Sequence, residues 1–204
     1  MDANGERTAL GFAQPRLAGN PFQQPRVSLF FAIHPPPMVV PLLSETRSAF
    51  RDRHGMYGRK IRNDCLHMTL APVGSYTDKL ATLACRLADA ISVPAFEIGF
   101  DHVTSFGRAP GTKSPFVLEG DAGSLAGAQP LHLALTRALA TAGIDLRHRF
   151  SPHVTLQYDE QVIDRTPVPR IAWMVREFVL IHSFVGYGEH EVIGTWKLGR
   201  PGGA

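Results

Sequence analysis

Two short segments of the chain each place a histidine two residues before a threonine, among apolar neighbours. The segments read LHMTL, with His67 and Thr69, and PHVTL, with His153 and Thr155. Because side chains alternate between the faces of a β-strand, the histidine and threonine of each segment would share one face. Two such strands side by side would bring two imidazoles and two hydroxyls into one cleft. Imidazoles exchange protons near neutral pH, so the pattern predicts acid–base chemistry on a phosphate ester without a metal.

The repetition of this pattern exceeds what composition predicts. A chain with this content of His, Thr and Leu is expected to contain about 0.05 His-x-Thr-Leu sequences by chance, and this chain contains two. A third His-x-Thr begins at His102, inside the strand-like alternation of residues 96–102. We interpret this third sequence as a decoy that lies outside the cleft.

Length and composition restrict the class of protein. The 204 residues are 44% hydrophobic, enough for one domain or two small fused lobes. A net charge of +3 fits an anionic substrate but not a surface that coats nucleic acid. Cys65 and Cys85 form no CxxC spacing, so we expect reduced thiols in a cytoplasmic protein. The sequence contains neither a membrane-length apolar run nor a cluster of metal-ligand residues such as HExxH, so we expect no membrane span and no metal.

Hydrophobic periodicity predicts the elements that would position the two motifs. Besides the two motif strands, strands are predicted at residues 26–33, 96–104, 115–119, 177–185 and 191–198, and helices at residues 38–54, 78–90 and 125–142. Leu42 and Leu43 are expected on the buried face of the first helix, Thr77 at the N-cap of the second, and Gly143 at the end of the third. The order of these elements predicts an α+β fold of mainly antiparallel sheets with flanking helices.

The positions of the motifs predict the domain organisation. Each motif has its own helix and further strands, so we expect two lobes related by an approximate two-fold axis. Residues 26–199 would form this bilobal domain around a central cleft. Residues 1–25 are rich in Pro and Gly and lack a secretory signal, which predicts a flexible leader, and residues 200–204 form a short tail.

The chain resembles the two-histidine (2H) phosphoesterase superfamily, and within it the 2′-5′ RNA ligase / RNA 2′,3′-cyclic phosphodiesterase group. The resemblance rests on the opening strand at residues 27–33 with the prolines after it, and on both His-x-Thr motifs, and it covers about residues 26–199. It implies a bilobal fold with both motifs on the floor of the cleft. It also implies hydrolysis of 2′,3′-cyclic phosphate ends of RNA to 2′-phosphates without metal or cofactor, with 2′-5′ ligation in some members.

The same resemblance implies a role for each motif residue. His67 would donate a proton to the departing 3′ oxygen, and His153 would accept a proton from the attacking water. Thr69 and Thr155 would bind the non-bridging phosphate oxygens. The substrates would be RNA ends or cyclic nucleotides, and we expect a cytoplasmic monomer without an obligate protein partner.

Further residues are candidates for substrate binding. Phe31 and Tyr158 could stack on a nucleobase, with core packing as the alternative, and His182 could face the pocket. The remaining histidines are expected to be structural or solvent-facing: His34, His54, His132, His148 and His190. Basic residues near the motifs could steer an anion or form a solvated loop face: Arg59, Lys60, Arg62, Arg147 and Arg149.

One departure from the family pattern concerns substrate identity. Many members carry a basic residue two positions after the leucine of the second motif, where this chain has Tyr158. Loss of a cation would weaken recognition of a phosphate. A small cyclic phosphate or a 2′-5′ oligonucleotide is therefore an alternative substrate, and an RNA-end-binding protein without turnover is an alternative of another class.

Overall fold

The structure is a computed structural model, and it describes residues 26–107, 112–144, 150–185 and 187–199. The predicted leader and tail lie outside the described residues, as do Arg147, His148 and Arg149.

Nine strands and four α-helices follow one another along the described residues. The strands are β1 (Arg26–Ile33), β2 (Arg59–Lys60), β3 (Met68–Gly74), β4 (Phe96–Ser105), β5 (Ser114–Glu119), β6 (Val154–Asp159), β7 (Thr166–Val175), β8 (Glu177–Val185) and β9 (Glu189–Lys197). The helices are α1 (Val40–His54), α2 (Asp78–Asp89), α3 (Ala122–Leu125) and α4 (Ala128–Thr141), and a 3₁₀ turn spans Asn63–Cys65.

All nine strands belong to one sheet, in which every pair of neighbouring strands is antiparallel. The order is β7-β4-β5-β6-β3-β1-β8-β9, and the short β2 pairs with β6. The predicted mainly antiparallel α+β fold with flanking helices is confirmed. Along the main path of the sheet, β7-β4-β5-β6 and β3-β1-β8-β9 form two four-stranded halves, which meet where Met68 of β3 pairs with Val154 of β6. The division of residues 26–199 into two lobes stays a prediction.

One face of the two middle strands forms the core under the helices. Met68, Leu70, Val154 and Leu156 are at most 2% exposed, as their alternation with the polar motif residues predicts. They share a single core cluster with residues of α1, α2 and α4. This burial fixes the strand register, because a slip of one residue would turn the apolar set to solvent. The motif residues must then point to the opposite face.

The helices agree with the sequence patterns except on the face of α1. The Thr77 hydroxyl accepts a hydrogen bond from the Leu80 N–H and caps α2, and Gly143 has the positive φ expected after a helix. The expected burial of Leu42 is wrong, since this side chain is 45% exposed. The inward position belongs to Arg47, whose guanidinium donates to the carbonyl oxygens of Ile61 and Leu156 and so fastens α1 to the middle of the sheet.

Two strands and one helix boundary differ from the sequence-based expectation. The predicted helix at residues 125–142 consists of the short α3 and the longer α4. Strand β7 was not predicted, because Pro167 and Pro169 argue against a strand; as an outermost strand β7 tolerates them. Strand β2 was not predicted either, since two basic residues carry no periodic signal.

Candidate active site

The two His-x-Thr motifs lie side by side on the two middle strands. His67 precedes β3 and His153 precedes β6, while Thr69 and Thr155 lie within these strands. The pairing of the two strands brings all four side chains to the lining of one cavity of about 830 Å³. The predicted gathering of two imidazoles and two hydroxyls is therefore present in the structure.

Both motif histidines are oriented by the same local hydrogen bond. His67 Nδ1 lies 2.8 Å from the carbonyl oxygen of Cys65, and His153 Nδ1 lies 2.7 Å from that of Ser151. A carbonyl oxygen only accepts hydrogen bonds, so each Nδ1 must carry a proton. The neutral imidazoles therefore both keep Nε2 as the nitrogen that can accept a proton or, when charged, donate one.

Burial makes the His67 imidazole difficult to charge. Desolvation lowers the pKa of His67 to about 4, and the imidazoles of His190, His34 and His153 oppose its protonation further. The hydrogen bond to the Cys65 carbonyl acts in the opposite direction but only partly offsets burial. His67 is therefore neutral at pH 7 in the empty cavity, and an anion beside it would favour the charged form.

Aromatic rings surround both motif histidines, and none of these rings was predicted at the site. The ring centroid of His67 lies 5.0 Å from that of Phe30 and 5.1 Å from that of His190, and both of these residues line the cavity. Phe106 packs edge-on against His153 at 4.9 Å. The expectation that His190 is solvent-facing is wrong. Its position on β9, beside His67, depends on strand order, which sequence periodicity does not reveal.

Four cationic residues line the cavity, and one of them, Arg62, is ion-paired with Asp64. They are Arg59, Lys60, Arg62 and Lys113, and the aromatic residues Phe184 and Tyr187 line the same cavity. Tyr158 itself lies on the lining and is 40% exposed, so it can contact a ligand as the sequence suggested. Arg59 is its direct cross-strand neighbour, which means that β2 supplies a cation beside the position where the family pattern has one.

The turn before β2 is fastened closely to β6. The Gly58 N–H donates to the carboxylate of Asp159, which also accepts from the Gln157 amide and the Gln161 N–H. A Cβ on Gly58 would lie only 2.0 Å from the carbonyl oxygen of Tyr158. Only glycine allows the backbone at position 58 to lie so close to β6. This close contact fixes the position of the next residue, Arg59, at the cavity.

The structure corrects two of the candidate substrate-binding residues. Phe31 is fully buried, and its ring packs against Phe178 and Trp196, each at 6.0 Å, so it is not available to stack on a base. His182 does not line the cavity, because its ring stacks on Tyr76 at 3.8 Å and its Nδ1 faces Glu191. Neighbouring Phe30 takes the cavity position instead, and two adjacent phenylalanines in one strand give no signal of which one faces outward.

Two further histidines also have defined places outside the cavity lining. His102 of the third His-x-Thr faces Asp101, which agrees with its interpretation as a decoy. His132 was expected to be solvent-facing, but it is half-buried: its Nδ1 bonds the carbonyl oxygen of Leu70, and its ring stacks on Phe150 at 4.1 Å. His132 thus links α4 to the back of β3.

Three further features concern the cysteines, the metal-ligand side chains and the helices of the described residues. Cys65 and Cys85 are free thiols. Among the described residues, no group of three or more His, Cys, Asp or Glu side chains is arranged to hold a metal ion. None of the helices in this part of the chain is both long and apolar enough to cross a lipid bilayer.

A mainly antiparallel sheet with one His-x-Thr motif on each of its two middle strands defines a two-histidine phosphoesterase. The model of the 2′-5′ RNA ligase superfamily matches residues 35–183, a segment that contains both motifs. The chain therefore belongs to the 2′-5′ RNA ligase superfamily. None of the curated protein sequences is a significant match.

Solved structures agree with this assignment. Escherichia coli LigT complexed with 3′-AMP is 25% identical, with a TM-score of 0.70 over 86% of this chain and 99% of that chain. LigT complexed with NADP⁺ is 26% identical, with a TM-score of 0.69 over 87% of this chain and 100% of that chain. A protein of Thermus thermophilus, 21% identical over 85% of this chain and 98% of its own, shares the fold with a TM-score of 0.63.

Proposed function

We propose that the protein is a phosphodiesterase that hydrolyses 2′,3′-cyclic phosphate ends of RNA or nucleotides to 2′-phosphates, without a metal or other cofactor. The observation that carries this proposal is the arrangement of His67 and His153. Both imidazoles line one cavity, and both keep Nε2 free by donating from Nδ1 to a backbone carbonyl. Binding of 3′-AMP by LigT supports a ligand with a phosphate on its ribose.

In the proposed reaction, a proton moves at each side of the phosphorus atom. Neutral His153 accepts a proton from water at Nε2 while the water oxygen forms a bond to phosphorus. The bond between phosphorus and the 3′ oxygen breaks, and protonated His67 gives its Nε2 proton to that oxygen. Each transfer contributes roughly 10²–10⁴-fold in rate. Hydroxyl groups of Thr69 and Thr155 donate to the non-bridging oxygens, where negative charge develops.

The charge state of His67 requires that the substrate assist its protonation. Burial holds the pKa of His67 at about 4 in the empty cavity, so almost no donor is present at pH 7. A phosphate next to the ring stabilises the imidazolium and raises this pKa. A proton is then taken up from solution as the substrate binds, and the complex contains the donor that the free protein lacks.

The same four motif residues also serve a reaction with a different attacking group or with a longer substrate. If a ribose 5′-hydroxyl replaces water as the attacking group, the same proton transfers produce a 2′-5′ linkage. The cations Arg59, Lys60, Arg62 and Lys113 on the cavity lining favour a substrate with anionic groups beyond the reacting phosphate, such as an RNA end or a 2′-5′ oligonucleotide.

A product assay in the presence of EDTA tests the proposal. The protein is incubated with 2′,3′-cyclic mononucleotides, cyclic-phosphate-ended RNA, a small non-nucleotide cyclic phosphate and a 2′-5′ dinucleotide. We expect turnover with EDTA present and a 2′-phosphate product. A 3′-phosphate product would contradict the donor role of His67. Binding of RNA ends without any product would contradict the proposed enzyme activity and support an RNA-end-binding protein.

Alanine variants identify the residues responsible. We expect His67→Ala and His153→Ala each to lower kcat by about 10²-fold or more, because each removes one proton transfer. The control is His54→Ala, since His54 is exposed at the end of α1 and away from the cavity. Near-normal turnover of either motif variant, with the control also active, would refute the assignment.

A further inference from the structure

The ring of His190 is part of a three-ring cluster at the His67 side of the cavity. His190 lies on β9, opposite Ser183 of β8. Its ring centroid is 5.1 Å from that of His67 and 5.8 Å from that of Phe30, and both contacts are edge-on. Because Phe30 and His67 also touch each other, the His190 ring is held in place by two neighbours that face the same cavity.

The two nitrogens of His190 differ from those of the motif histidines. Its Nδ1 is buried and has no hydrogen-bond partner. Its Nε2 is not buried, and it has no hydrogen bond to any described residue. A proton on Nδ1 would be a buried donor without an acceptor, which is unfavourable. Neutral His190 therefore carries its proton on Nε2. His67 and His153 carry theirs on Nδ1, so His190 is the opposite tautomer: a donor, not a base.

The surroundings of His190 favour its neutral form. Burial lowers the pKa of His190, positive charge on His34 and Arg62 acts in the same direction, and Asp64 opposes them. A neutral ring with an N–H at the cavity can bond an anion without adding a charge beside His67. This matters because a second positive charge would oppose the protonation of His67.

We propose that His190 is a third imidazole of the active site and donates a hydrogen bond from Nε2 to an oxygen of the phosphoryl group between His67 and His153. This inference rests on the proposed function and adds a catalytic residue to it. A donor that packing already holds in place stabilises developing negative charge without reorganisation. A hydrogen bond to a charged group corresponds to a change of about ten- to hundred-fold in affinity or rate.

Two substitutions of His190 separate hydrogen bonding from packing. His190→Gln keeps an N–H donor but loses the ring, and His190→Phe keeps a ring but loses the donor. If His190 donates to the phosphoryl group, the Phe variant loses about ten- to hundred-fold in kcat/KM, and the Gln variant retains several-fold more activity than the Phe variant. If His190 only packs against His67, the Phe variant has the higher kcat/KM and the Gln variant the lower.

A matched control and a second readout complete the design. His54→Phe is the control, because His54 also packs its ring on a phenylalanine, Phe50 at 5.5 Å, but away from the cavity. Circular dichroism and thermal unfolding show whether each variant is folded. Affinity for inorganic phosphate is measured for all proteins by calorimetry, which does not depend on turnover.

The two readouts distinguish failure of this inference from failure of the proposed function. If the wild-type protein binds phosphate but hydrolyses no cyclic phosphate, the proposed function fails, and the phosphate affinities of the Gln and Phe variants still decide the role of His190. If hydrolysis occurs and the Phe variant equals wild type in both readouts, the role of His190 is refuted. A Phe variant more active than the Gln variant also refutes it, as does a wild-type protein that binds no phosphate.

Discussion

Acidification should destabilise the folded protein through His67 in a narrow pH range. The pKa of His67 is about 4 in the folded protein, because the ring is desolvated, against 6.5 for an ordinary histidine. Below pH 6.5 the unfolded chain therefore binds a proton that folded His67 does not. The free energy of unfolding must fall as the pH decreases from 6.5 towards 4, and above 6.5 the difference disappears.

The size of this effect follows from the two pKa values. A difference of 2.5 between 6.5 and 4 corresponds to about 3 kcal/mol when both states are fully protonated, and to about 2 kcal/mol at pH 5. His34 and His190 also have lowered pKa values from burial, so they add to the loss in the same direction.

Denaturant unfolding at pH 8 and pH 5 measures the effect in wild type and in His67→Gln. The variant removes the titrating group, so its loss of stability between the two pH values should be smaller by about 2 kcal/mol. His54→Gln is the control for replacing a histidine outside the cavity, since His54 is exposed. An equal loss in wild type and in His67→Gln would show that His67 is not desolvated, and the argument for substrate-assisted protonation would fail with it.

Two further predictions concern the short strand β2. Arg59→Gln should raise KM for cyclic-phosphate-ended RNA several-fold with little change in kcat, and it should weaken the salt dependence of KM, because Arg59 lies on the cavity lining beside Tyr158. Steady-state assays at two salt concentrations check this, and an unchanged KM would contradict it. Gly58→Ala should lower the free energy of unfolding by at least about 1 kcal/mol, because the added methyl meets the Tyr158 carbonyl oxygen. Denaturant unfolding measures this loss, and wild-type stability would show that β2 can move away without cost.

The fold and the gathering of the motifs could be predicted because they depend on local periodicity. In each motif, His and Thr alternate with residues that are almost fully buried, and this pattern both identifies the strand and assigns its faces. The pairing of β3 with β6 then needs only one register, Met68 with Val154, to bring both motifs to one cavity.

The remaining cavity residues depend on long-range pairing, which the sequence does not display. The contact between His190 and His67 depends on the order β3-β1-β8-β9, in which β9 folds back on β8 and places His190 on the same half of the sheet as His67. Arg59 reaches Tyr158 through a strand of two residues that has no sequence signature. Burial of Arg47 was missed for a related reason: the carbonyl oxygens that accept its hydrogen bonds belong to other segments of the chain.

The two halves of the sheet give His67 and His153 the same hydrogen bond but different surroundings, and this difference bears on their roles. The shared bond to a carbonyl two residues earlier fixes the tautomer and the direction of each Nε2. Burial between Phe30 and His190 makes His67 hard to charge without a ligand. Attraction between opposite charges is also strongest where the surroundings are least polar. His67, whose protonation burial opposes in the empty cavity, therefore gains strongly from a bound phosphate, and this is the property that a proton donor formed only with its substrate requires.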